Sequence, residues 1–586
     1  MTGHDAVASP RRDRLLVAGV VVLSALLLGP ALAPGYVLQN DLVFVPTQDL
    51  LPWMLGLAGG LPRSVPQDAV VALLSGPVPG WVLEKAALLG ALVLLGTGCA
   101  RLARPRGTTA SAVAAVVAVW SAYVGERLLL GHWSLLLAVG ALPWALHLAR
   151  RTRSGHPGAG ARWLLLVALA SLTVTGGLLV LVCTAPVVLV RASRVRPARR
   201  LLLALGAMAL QLPWAVPALL HPSSAATGGA DVFAARSEGP WGLLLTVLTG
   251  GGAWNASAVP ASRTTWFALV LGLAVLAVAA VGARDVVPVL GRAAALTLSV
   301  SAALGLLWCL LGGWTVTRSW AAWVVTDVPG AGVLRDAQKW LAPWVVLVAV
   351  AAGLGAARVA RGLLRSSGDR SAAGALAVSL VALPVLALPS LAWGELGRLS
   401  SVGYPDDLAQ VRAAIAASGD GRDAVSLPWG TFRRFPWNPG RTVLDPVPRA
   451  MPVTVVASDS LVVATSHGLV TVAGDDPASA QVQEAISARR PLGPVLDALG
   501  VGWAVVADDL PDARTDLPSD AVPVVRGTSF SLFRLAGTTE PAAPAAGTVV
   551  AVVLGDAAAV AVLALALGIT IRTRVRRGGA DGATGW

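Results

Sequence analysis

Apolar runs of membrane-spanning length alternate with clusters of arginine along most of this chain. A run of about 20 apolar residues matches the hydrocarbon core of a bilayer. Inside that core every backbone polar group must be satisfied within the protein, which selects helices. The alternation therefore dictates a polytopic α-helical membrane protein. Composition agrees, because 55% of the 586 residues are hydrophobic and only 13% are charged. Soluble globular chains carry about 25% charged residues, so a soluble enzyme and a disordered chain are both excluded. Mean hydropathy is +0.70.

The net charge of +13 does not indicate a nucleic-acid partner. The basic residues are not gathered on one soluble module; they sit in short clusters between apolar runs, as the positive-inside rule requires. Nearly all are arginine, Lys85 and Lys339 being the lysines. With abundant Ala, Val, Gly and Pro, this is the composition of a GC-rich, actinobacterial type of genome. Cys99, Cys183 and Cys309 fall in apolar runs without a CxxC pair, and the histidines are scattered. Neither a zinc site nor a disulfide framework is indicated.

The charge rule yields about twelve spans with both termini cytoplasmic. Span one covers about 15–34 and follows Arg11, Arg12 and Arg14; a long first outer loop, 35–80, comes next. Spans two to four cover about 81–100, 108–124 and 133–149. Residues 163–190, crossing once, would place Arg191, Arg194, Arg196, Arg199 and Arg200 outside. A hairpin of two short helices, turning near Thr175-Gly176-Gly177, keeps them inside and supplies spans five and six. Spans seven to eleven cover about 201–220, 265–283, 293–313, 340–357 and 374–394. Composition then shifts. Residues 397–545 read as an extracytoplasmic α/β domain, with a helix at Asp406–Ala417 and strands at Ala424–Pro428, Val501–Val506 and Ser529–Phe533. A last span at 547–571 leads to a basic tail, so 1–396 and 546–586 form the membrane portion.

The outer loops hold the chemistry. The first contains Asp41 and, eight residues on, Asp49. An acid at the membrane surface is a candidate general base for a sugar hydroxyl; alternatively Asn40-Asp41 caps a helix running from Leu42. Glu126 and Arg127 either pair with each other or meet a polar head group. His132 reads as an interfacial donor and Trp133 as an interfacial anchor. Arg335 and Lys339, spaced i, i+4, put two cations on one helical face. There they either grip a lipid-linked phosphate or pair with Asp336 or Asp327. Thr249-Gly-Gly-Gly-Ala-Trp-Asn255 lacks a Walker lysine, so it reads as an interfacial turn, with Trp254 and Asn255 lining an acceptor groove. No ATP motif occurs, and the spans are nearly free of charge apart from Asp556, which disfavours an ion-coupled transporter.

The long acidic first loop, the short fifth and sixth helices and the C-terminal outer domain resemble the GT-C glycosyltransferase superfamily. Within it the chain is most similar to actinobacterial arabinofuranosyltransferase-type proteins, and it is similar to YfhO-like membrane proteins as well. The local matches are Asp41, Gly131-His-Trp133, Pro143-Trp144, Leu334-Arg-Asp-Ala-Gln-Lys-Trp340, Pro405-Asp406, Leu427-Pro428 and Leu499-Gly-Val-Gly-Trp503. Many members carry two adjacent acids in the first loop, where this chain has Asn40-Asp41. The resemblance implies transfer of a sugar, arabinofuranose or mannose, from a polyprenyl-phosphate donor to a cell-envelope glycan or glycolipid. Asp41, or Asp49 in its place, is then the base, and Arg335 and Lys339 hold the phosphate. Cations that neutralise the phosphate leave no need for a metal or other cofactor. A lipid-linked glycan flippase and a non-catalytic assembly scaffold are the competing functions.

Overall fold

The structure, a computed structural model, describes residues 10–61, 63–190, 194–221, 230–465 and 468–582. Helix α1 (Pro10–Leu28) leads into the first loop, which carries α2 (Gln67–Ser75) and returns through α3 (Gly80–Ala103). Next come α4 (Thr108–Val119) and α5 (Ala122–Leu129), which together form one span, and then α6 (Trp133–Arg153). Helices α3 and α6 pack side by side at the centre of the bundle.

Helices α7 (Ala159–Ala170) and α8 (Val174–Leu189) are too short to cross alone. They form a hairpin on α6. Arg153, at the end of α6, donates to the Val187 carbonyl at 3.3 Å and accepts the Arg194 N–H at 3.0 Å, so both ends of the hairpin lie at the arginine-rich end. Trp163 Nε1 donates to Thr184 Oγ1 at 3.0 Å, tying the start of α7 to the end of α8. The turn falls at Ser171–Thr173, upstream of the expected Thr175-Gly176-Gly177. Those two glycines instead lie within α8, where side chains would not fit. A Cβ on Gly176 would meet Ala138 at 2.5 Å, and one on Gly177 would meet Gln211 at 2.4 Å. Of the cluster that prompted the hairpin, Arg191 lies outside the described residues.

The seventh apolar run is broken into α9 (Pro197–Ala209) and α10 (Leu212–Leu220), bent by 55°. Pro213 and Pro217 remove N–H donors near the bend. Gln211 satisfies it by donating to Ser171 Oγ at 2.8 Å and to the Ala207 carbonyl at 3.1 Å. Short α11 (Gly242–Leu248) precedes α12 (Trp266–Leu290), α13 (Arg292–Gly313) and the Trp-bearing α14 (Thr315–Asp327). Then α15 (Ala342–Ser367) and α16 (Arg370–Ala387) complete the membrane bundle up to the short α17 (Ala392–Leu396). Among the described residues nine helices are long and apolar enough to cross a membrane, or ten if the bent pair is one span.

The sheet domain follows. It opens with α18 (Asp406–Ser418), β1 (Asp423–Leu427), β2 (Phe432–Arg433), β3 (Val443–Leu444), α19 (Val447–Ala450) and β4 (Val455–Val456). It continues through β5 (Leu461–Thr465), β6 (Gly468–Val472), α20 (Pro477–Ser487), α21 (Leu492–Ala498), β7 (Val501–Ala507), β8 (Val522–Val525) and β9 (Phe530–Arg534). The main sheet runs β4-β1-β7-β9-β8, parallel through its first three strands and antiparallel beyond. Every residue of β7 is buried, the signature of a central strand covered on both faces. Helix α22 (Ala546–Gly582) returns to the bundle against α7 and α10.

Candidate active site

Asp41 stands on a tight turn rather than at a helix start. No helix follows it; residues 42–49 run extended, which removes the capping reading. The turn closes through Leu42 N–H to the Gln39 carbonyl at 2.9 Å. Asn40 takes the left-handed conformation (φ 47°), a region that asparagine tolerates better than most residues. Two regions clamp it. From the bundle, the Leu129 carbonyl accepts Asn40 Nδ2 at 2.7 Å, and Asp41 N–H reaches the Leu130 carbonyl at 3.2 Å. From the sheet domain, Asn40 N–H donates to the Thr442 carbonyl at 2.7 Å, and its own carbonyl accepts Leu444 N–H at 2.9 Å. Gly131 (φ +80°) makes the approach possible, since a Cβ there would lie 2.2 Å from the Leu42 nitrogen.

The same turn carries His132. Its Nε2 lies 3.2 Å from Asp41 Oδ2, and its Nδ1 lies 2.9 Å from Arg127 Nη1. Arg127 is fully buried and grips Asp336 with both terminal nitrogens, at 2.6 and 3.0 Å. Glu126 and Arg127 do not pair with each other, because consecutive helix residues face apart. Instead Gln338 links them, accepting from Arg127 and donating to Glu126. Glu126 also accepts Ala253 N–H at 3.1 Å, as does Glu238 at 3.2 Å. Glu238 in turn accepts Gly252 N–H and binds Arg263 Nε at 2.8 Å. The glycine-rich turn therefore cradles an anion of the protein's own. A Cβ on Gly251 would strike the Glu238 carboxylate.

Arg335 and Lys339 do not share a helical face. They flank and occupy short 3-10 turns, Ala331–Leu334 and Ala337–Leu341, separated by Asp336 in a non-helical conformation. Arg335 stacks over Phe233, its guanidinium carbon 4.3 Å from the ring centroid, and Phe233 meets Trp254 edge-on at 4.9 Å. Lys339 Nζ is 3.9 Å from Asp336. Asn255 spends its side chain capping the turn at Ser257, at 3.0 Å. Trp133 is buried against Phe44, 5.0 Å between rings, rather than anchored at an interface. Asp49 pairs with Arg412 of α18 at 2.5 Å. With Asp68–Arg449 (2.9 Å) and Arg63–Asp475, that ion pair fastens the first loop to the sheet domain. An apolar cleft between spans, lined by Trp120, Leu248, Val275, Trp344 and Val348, reaches Thr249 and Arg263 beside this network.

Loss of hydration raises the Asp41 carboxyl, but the His132 hydrogen bond and the charges of Lys339 and Arg449 outweigh it. The group lies below its usual range and is ionised at neutral pH. Burial lowers His132, and Lys339 and Arg127 add repulsion that the Asp41 contact offsets only in part, so its ring is neutral there. Burial raises Asp336, yet Arg127 and Lys339 hold it far below the usual carboxylate range. Burial and the charge of Arg63 both lower Arg335, with Asp475 and Asp336 opposing. Asp41 keeps a side chain 48% exposed, open to solvent. Among the described residues no group of three His, Cys, Asp or Glu is placed to hold a metal.

Glu238, Arg263 and Gln338 are the members of this network that sequence reasoning did not single out, and Asp336 was named only as a partner for Arg335 and Lys339, of which it meets Lys339. Their signal was faint: opposite charges on either side of a glycine-rich turn, and an acid between two cations.

No protein-family model matches the chain, and no curated protein matches it. Solved structures do. A mutant form of the arabinofuranosyltransferase AftD from Mycobacteria aligns with a TM-score of 0.57 at 17% identity, over 91% of this chain and 42% of AftD. Another AftD structure aligns with 0.54 at 16% identity, over 91% and 40%. The chain thus spans about two-fifths of AftD's length. The chain has a fold similar to that of part of AftD.

Proposed function

We propose that the chain is a membrane glycosyltransferase that moves a sugar from a polyprenyl-phosphate donor to a cell-envelope glycan or glycolipid. The observation that carries this reading is an ionised, half-exposed Asp41 held by a neutral ring, with Lys339 near enough for its charge to act on it. In this proposal Asp41 takes the proton of the acceptor hydroxyl. The acceptor oxygen bonds to the anomeric carbon from the face opposite the phosphate, the carbon–phosphate-oxygen bond breaks, and configuration inverts. Arg335 and Lys339 hold the leaving polyprenyl phosphate as its charge develops. Asp49, engaged with Arg412, is set aside as the base. The apolar cleft suits a prenyl tail. Both termini are cytoplasmic, with residues 397–545 outside, because the arginine clusters then face inward.

Likeness to AftD makes arabinofuranose the first sugar to try. The test is transfer of labelled sugar from polyprenyl-phosphate arabinofuranose or mannose in proteoliposomes supplied with envelope glycan. Label in the glycan supports the proposal. Lipid crossing the bilayer without transfer makes the protein a flippase, and neither event leaves a scaffold. Cysteine labelling of intact cells checks the topology, and access to position 194 from outside would overturn it.

A further inference from the structure

We infer that His132 is a positioning residue: Arg127, braced by Asp336, fixes the ring in the tautomer that donates to Asp41 and bars it from carrying the proton away. This rests on reading Asp41 as the base.

A guanidinium offers five N–H donors and no acceptor, and it does not deprotonate in proteins. Arg127 Nη1 faces Asp336 Oδ2 at 2.6 Å and His132 Nδ1 at 2.9 Å. The nitrogen facing that donor must accept, so Nδ1 bears no hydrogen. A neutral ring then carries its hydrogen on Nε2, which lies 3.2 Å from Asp41 Oδ2. An imidazolium would turn a second N–H against the guanidinium. The charged groups facing the ring are Asp41 from the first loop, Arg127 from α5, and Asp336 and Lys339 from the loop before α15. The two cations oppose ring protonation. The ring backbone is fixed as well, with His132 N–H on the Arg127 carbonyl at 2.9 Å.

Two consequences separate this arrangement from a proton relay. Once Asp41 has taken a proton, His132 has no free lone pair on the nitrogen that faces it. The proton therefore leaves from the solvent side of Asp41, whose side chain is 48% exposed. The ring also commits Oδ2, which leaves Oδ1 as the oxygen that meets the acceptor hydroxyl.

The experiment compares His132→Ala and His132→Gln in the full-length protein. Glutamine can reproduce both contacts, its oxygen accepting from Arg127 and its amide donating to Asp41. A positioning role predicts transfer reduced by about 10–100-fold in His132→Ala, the weight of a hydrogen bond to a charged group. The acid limb of the pH–rate profile should move up by about one unit, and His132→Gln should restore most of the rate. Equal loss in both variants would mean the ring carries protons, and no change in either would mean it is structural; both results overturn the inference. A spectroscopic arm needs no turnover. Ring-¹⁵N histidine spectra should show one resonance set, missing in His132→Gln, that stays in the Nε2–H neutral form at pH values below the ordinary histidine pKa of about 6.5. An imidazolium forming near pH 6.5, or an Nδ1–H form, would overturn the inference. Full activity in Asp41→Asn would instead remove the base reading while leaving the ring spectra to decide the tautomer.

Discussion

Two of the bundle's clusters of charge, at opposite ends, are built differently. At the arginine-rich end Asp285 pairs with Arg106 at 2.6 Å and Arg358 at 2.8 Å, and those arginine side chains are 33% and 44% exposed. At the other end Arg127, Glu126, Glu238 and Arg263 are all sealed from solvent, Glu238 bound to Arg263 and to backbone amides, Glu126 to the Ala253 amide and the Gln338 side chain. Burying charges costs several kcal/mol per ion unless every partner is supplied. The first cluster staples helices where water and lipid head groups help. The second has no such help, and it lies directly behind Asp41. Buried charges with perturbed pKa values cluster at functional sites.

Breaking the sealed cluster should therefore cost most. Asp336→Ala strands the Arg127 guanidinium and should lower stability by about 3–5 kcal/mol, read as a drop in thermal unfolding in detergent. Because its folded pKa is depressed, the stabilisation from Asp336 is complete above about pH 4 and is lost as pH falls through the folded value. Acidification from pH 7 to 5 should leave this contribution intact. Gly131→Ala places a left-handed alanine against the Leu42 backbone and should cost about 1–3 kcal/mol, with transfer falling further than stability. Arg335→Ala with Lys339→Ala should weaken polyprenyl-phosphate binding by roughly 10–100-fold while unfolding barely changes, since partly exposed cations add little to stability. Asp285→Asn should cost less than Asp336→Ala, because Asp285 is buried but the arginines it pairs with stay partly solvated, and should leave donor binding unchanged. Equal losses at the two ends would erase the distinction between them.

Span positions were legible because hydropathy and arginine placement both report on the bilayer. The hairpin was legible from charge alone, yet its turn was misplaced, since glycines that serve close packing look the same as glycines that serve a turn. The Asp406 helix and three strands were readable from periodicity; β4 and β8 were not, being two and four residues long. At the site, Asp41, Glu126, Arg127, His132, Arg335 and Lys339 stood out as charges in loops that the positive-inside rule leaves poor in charge. Their connections did not. Arg127 meets Asp336 across 209 residues of chain, and Glu238 meets Arg263 around a turn whose glycines pointed to an outside anion. Such pairings are set by helix packing, which no local pattern encodes.

In the proposed reaction Asp41 removes the acceptor proton while the buried network merely holds it. Asp41→Asn keeps the shape and removes the charge. In proteoliposomes with a labelled polyprenyl-phosphate sugar, turnover should fall by roughly 10²–10⁴-fold, with donor binding and thermal unfolding near those of the parent. Turnover retained at the parental rate in Asp41→Asn would contradict the account.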